Sequence, residues 1–155
     1  MGIVYTASFS AVAVTAAQDL FEILAPTARS IILHSVVVTQ VSDTDSEQLR
    51  FAVKRVTGAP TSGSGGSTPT AVSAVPGCTF SGTVEANNTT RISGGTNVTL
   101  WEESQNVLNG WIYMPTPEMR PEFEGATRCV IGLEAAPVDS LTISATVTFE
   151  VVGGI

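Results

Sequence analysis

Charge is scarce in this sequence of 155 residues: Asp, Glu, Lys and Arg together make up 14%, against roughly 25% in an average soluble domain. The shortage is sharper for cations, with seven Lys and Arg facing 14 Asp and Glu for a net charge of −7. Counterion release from a phosphate backbone needs the opposite sign, so no nucleic-acid partner is expected. Histidine occurs once, as His34. That removes most general-base arrangements and leaves no zinc pattern with Cys78 and Cys129, the two cysteines, which are expected as reduced, buried thiols. No apolar run approaches the roughly 18 residues of a helical membrane span, so no membrane partner is expected. Ser8, Ser10 and Thr15 interrupt residues 7–17, and no secretory signal is expected there. Yet 43% of the residues are apolar. With so little charge to solvate a lone monomer, that excess points to protein interfaces.

What is present is strand pattern. Residues 140–151 alternate without a break, Leu141, Ile143, Ala145, Val147, Phe149 and Val151 against Ser, Thr and Glu, which is a half-buried antiparallel strand. Residues 3–14, 20–25, 48–57, 78–84, 91–101, 110–114 and 127–135 read as further strands, with Asn87-Asn88 and Gly94-Gly95 as turns. Residues 30–41 carry apolar side chains on both faces, Ile31, Leu33, Val37 and Val41 on one and Ile32, Val36 and Val38 on the other. Such a strand is expected to be covered twice, the second time by a loop or a neighbouring subunit. The stretch 58–70, GAPTSGSGGSTPT, is too polar and glycine-rich to bury itself and predicts a flexible surface insertion within a single domain spanning 1–155. Eight or nine strands and no amphipathic helix predict an all-β fold, an antiparallel sandwich of jelly-roll type.

Chemistry is hard to find. The acidic turn 43–47 begins like a calcium loop, but Gln48 stands where an EF-hand needs glycine and Lys54 where it needs glutamate. Glu102 and Glu103 are adjacent and point to opposite faces of a strand, a poor geometry for acid/base work. Arg50 and Lys54 share one strand face, which reads as solvated. No catalytic residue, cofactor site or metal site is assigned, and an enzyme is not expected. Trp101, Trp111, Tyr113 and Phe123 lie near one another in sequence and suit a sugar-stacking platform, a core or an interface. The candidate interface residues are Val36 and Val38 on the doubly apolar strand, with Trp101, Trp111 and Tyr113.

Three segments are more specific: Trp101-Glu102-Glu103-Ser104-Gln105-Asn106-Val107, residues 110–121 (GWIYMPTPEMRP) and residues 135–142 (AAPVDSLT). With the opening YTASFSAV of residues 5–12, they resemble small virion-associated proteins of tailed bacteriophages. The resemblance implies a component of a phage particle, an auxiliary protein that decorates or cements the capsid. It further implies the major capsid protein as partner, association into a homotrimer, and a place on the virion surface after synthesis in the host bacterial cytoplasm. The competing expectation is a carbohydrate-binding module of a head fibre or tail, using Trp101, Trp111 and Tyr113.

Overall fold

The computed structural model describes residues 2–42 and 46–153. Along them run β1 (Ile3–Val14), β2 (Gln18–Leu24), β3 (Ser30–Gln40), β4 (Gln48–Thr57), β5 (Val72–Ser73), β6 (Thr83–Asn88), β7 (Thr96–Asn106), β8 (Trp111–Tyr113), β9 (Glu122–Phe123), β10 (Arg128–Leu133) and β11 (Leu141–Val152). One sheet has the order β5-β1-β11-β3-β8, with β9 also on β3; the other has the order β6-β2-β10-β4-β7. The ladders β1 with β11, β2 with β10, β3 with β8 and β4 with β7 join early strands to late ones and alternate between the sheets. This is a long double ribbon rolled upon itself, the jelly roll. Eight strands make the roll, and β5, β6 and β9 extend its edges.

The core lies between the inner faces. Phe21, Phe51 and Ile131 from one sheet meet Leu33, Phe149 and Trp111 from the other, and the Phe51 and Trp111 rings stack across the gap at 4.9 Å. Burial of such side chains is worth about 1.5–3 kcal/mol each.

The doubly apolar strand has a different cause from the one its pattern suggests. In the β3–β11 ladder Ser35 pairs with Thr148 and Leu33 with Phe149, so His34 is an extra residue. This bulge shifts the alternation by one. Ile31 and Leu33 face the core before it, Val36 and Val38 after it, and all four are buried. Val36 and Val38 are therefore core residues of this domain and not a surface for a neighbouring subunit. β1 does the same at Ala11, where the positive φ of 55° separates inward Tyr5, Ala7 and Phe9 from buried Val14.

The Gly/Ser stretch 58–70 also departs from expectation. Thr61 bridges to Ser93, Ser64 to Thr90 and Ser67 to Ala86, through backbone bonds of 2.8–3.1 Å. Gly66 is packed so closely that a Cβ there would stand 2.0 Å from the Ala86 carbonyl oxygen. Here glycine permits close approach of two backbones rather than disorder. Beneath the segment the buried Glu22 carboxylate accepts from the Ser62 hydroxyl at 2.8 Å and the Gly63 N–H at 3.0 Å. The insertion is thus pinned along the end of β6 and the loop that follows it.

Two variants test these points. Deleting His34 must turn one apolar pair of β3 out of the core, a loss of about 3–6 kcal/mol against a total of about 5–15; His34→Ala keeps the bulge and should melt close to wild type. Equal melting of the two proteins would contradict the account. Replacing residues 59–69 by a short turn removes two donors from buried Glu22 and should cost at least about 2 kcal/mol, or about 4–8 °C in melting temperature. An unchanged melting temperature would restore the flexible reading.

Candidate functional site

Two places gather functional side chains. The first is the outer face of the β2–β10–β4 sheet. β2 puts Asp19 and Glu22 on it, both with fully buried side chains. Arg128 reaches Glu22 at 2.6 Å, Arg91 reaches Asp19 at 3.0 Å and Glu134 at 2.6 Å, and Lys54 meets Glu134 at 2.7 Å. Three of the seven cations are thus spent here. Lys54, expected on a solvated face, is buried; Arg50 is exposed and pairs with Glu102.

Glu22 and Glu85 stand opposite each other on paired strands, and both accept from Ser62 and Asn88. Paired carboxylates recommend themselves for acid/base work. Glu22, however, lies sealed under Ser62 and Gly63, with its oxygens occupied. The arrangement holds a loop to a sheet.

This network carries a pH dependence. Burial raises the Glu134 pKa, but hydrogen bonds from Arg91 and Lys54 and their charges outweigh it and hold the carboxyl below its ordinary value. A lowered folded pKa means that its stabilisation is complete above the unfolded value of about 4.3 and is lost as pH falls through the lower folded one. Glu134→Gln should therefore flatten the loss of stability below about pH 4.3. Parallel acid-unfolding curves for the two proteins would contradict this.

The second place is a groove of about 680 Å³ between the edge strands β7 and β8 and the following proline-rich loop. Trp101 and Glu103 come from β7, Ile112 and Tyr113 from β8, and Met114 and Met119 from the loop. Ile112 is 63% exposed, Met114 68%, Met119 66% and Trp101 45%. These are large apolar side chains left facing solvent side by side. Beneath them Glu103 accepts from two indoles, Trp111 Nε1 at 2.5 Å and Trp101 Nε1 at 3.2 Å. Burial raises the Tyr113 pKa and keeps its hydroxyl neutral.

Of the aromatic candidates, only Trp101 is open to a partner. Trp111 and Phe123 are fully buried, and Tyr113 nearly so, as a wall of the groove. A three-ring sugar platform is therefore not formed. Glu102 and Glu103 do point apart, as their adjacency requires. Sequence reasoning missed Ile112, Met114 and Met119; their signal is a run of large apolar residues beside prolines, which cannot continue a strand inward.

Burial pushes the Cys129 thiol well above its ordinary value, and both cysteines are free. His34 Nε2 meets Glu150 at 3.1 Å, away from both sites. Among the described residues no group of three or more His, Cys, Asp and Glu side chains is placed to hold a metal ion. Residues 43–45 of the acidic turn lie outside the described residues. No helix among the described residues is long and apolar enough to cross a membrane. Comparison with protein-family models, curated proteins and solved structures finds no match for the chain.

Proposed function

We propose that the protein is a structural component of a bacteriophage particle, a capsid decoration protein that binds the assembled coat and strengthens it without catalysing a reaction. One observation carries the reading. Two of the three segments that carry the resemblance to phage virion proteins, residues 101–107 and 110–121, lie on different sheets of the sandwich and meet as the walls of a single apolar groove. A cement protein works by burying such surface across contacts between coat subunits, and each bound copy stabilises the shell by mass action. Its place would be the outer surface of the virion.

Jelly rolls serve both viral shells and sugar recognition, so the fold alone does not choose between them. The chemistry of the groove favours protein. A sugar needs a stacking ring flanked by free polar groups, whereas Glu103 is occupied by two indoles and the neighbouring walls are Met and Ile. The homotrimer loses the doubly apolar strand as an argument and stands on the resemblance alone.

Purified protein added to undecorated capsids of its phage should bind saturably and raise their rupture temperature. Saturable binding on a glycan array with none to capsids would contradict the proposal and favour the carbohydrate-binding alternative.

A further inference from the structure

The groove borders an unusual strand edge. An open edge offers a row of backbone N–H and C=O groups to any passing strand, and folded proteins normally cover or break it. Here Ser67 bridges to Ala86 of β6, and Ser64 and Thr61 continue along the loop after it at Thr90 and Ser93. β8 has three residues and runs into Pro115. β1 is paired with β5 at Tyr5 and Thr6 and bent by the bulge at Ala11. β7 has eleven residues, with two charges, Glu102 and Glu103, but neither Lys nor Pro among them, and ends its sheet. Its own bulge falls at Leu100, between the pairs Thr99 with Lys54 and Trp101 with Val53, and residues 101–106 follow in unbroken register with β4, Trp101 and Glu103 lining the groove.

Charge narrows the occupant. Past Arg55 the groove meets a second hollow of about 570 Å³, which Arg55 lines together with Glu122 and Glu124. The Arg55 guanidinium is already engaged: Nη2 donates to the Glu122 carbonyl oxygen at 2.9 Å, and the group lies over the Phe123 ring at 5.6 Å. The carboxylates of Glu122 and Glu124 are on exposed residues, and Glu118 stands exposed on the loop that walls the groove. The rim is acidic. A second copy of this chain, at −7, brings the wrong sign.

We propose that the groove takes an extended segment of another protein, apolar at alternate positions and basic at one end, that adds to residues 101–106 as a further strand of the sheet. Main-chain bonds to β7 hold it, alternate side chains enter between Trp101 and Met114, and the basic end lies against Glu122 and Glu124. This deepens the capsid-binding reading of the same groove and rests on it, the segment then belonging to the coat protein.

The test is fluorescence anisotropy with a labelled decapeptide of alternating Val and Thr ending in two Lys. Saturable binding is expected, weakened about tenfold or more when Glu replaces the Lys pair. It should be abolished when alternate peptide amides are N-methylated, and by Met114→Asp, an exposed position where the fold should survive. No saturable binding, or binding indifferent to N-methylation or to the charge swap, overturns the proposal. So does a concentration-dependent rise in the solution mass of the protein alone that the peptide blocks, which would assign the edge to a second copy. Capsids that take up wild-type and folded Met114→Asp protein alike overturn this docking mode and leave the capsid reading standing. Peptide binding without capsid binding overturns the capsid reading and leaves the docking mode.

Discussion

The backbone polar groups at the margin of a sheet must be paired, covered or left to water, and the rest of this structure is arranged around that constraint. Glu22 is the device that meets it on one side. Its carboxylate is fully buried and held by Arg128, and it accepts from Ser62 and Gly63. Those two residues belong to the segment that closes β6. An uncompensated charge at that depth is untenable, so the cover and the ion pair require each other. On the opposite margin of the same sheet β7 has no such cover among the described residues.

The two margins also differ in the side chains they gather. A protein with few charges commits three of its cations to the outer face of the β2–β10–β4 sheet and leaves four of its exposed large apolar groups, Ile112, Met114, Met119 and Trp101, beside one groove. Cys129 lies in the core, Cys78 is free and half-buried, His34 stands against Glu150, and Glu22 and Glu85 both accept from Ser62. Glu103 links the groove to the core, because one carboxylate fixes both the exposed Trp101 and the buried Trp111 that stacks on Phe51.

Much of the fold is legible in the sequence where the pattern is long and unbroken. The limits of β1 and β4 and the period of β11 follow directly from alternation, and the strand count and absence of helix point to the sandwich. Alternation fails wherever a bulge adds a residue, because a shift of one turns the same pattern to the other face. Val36 and Val38 are core for that reason. β7 starts later than the pattern of 91–101 suggests: the Asp19 carboxylate takes the Arg91 side chain and the Ile92 N–H, and Gly94 and Gly95 both turn through positive φ. Nothing local encodes those contacts. The candidate site was half visible. The segments 101–107 and 110–121 stand out in the sequence, but only the roll of the ribbon brings their strands to one margin and turns Trp111 inward while Trp101 stays out.

Residue-resolved hydrogen–deuterium exchange on the free protein tests the central claim most directly, that one sheet margin is sealed and the other open. Amides of Thr61, Ser64, Ser67 and Ala86 should be protected with the core, while alternate amides of residues 101–106 exchange quickly. Rapid exchange at 61–67, or uniform protection along β7, would contradict the account.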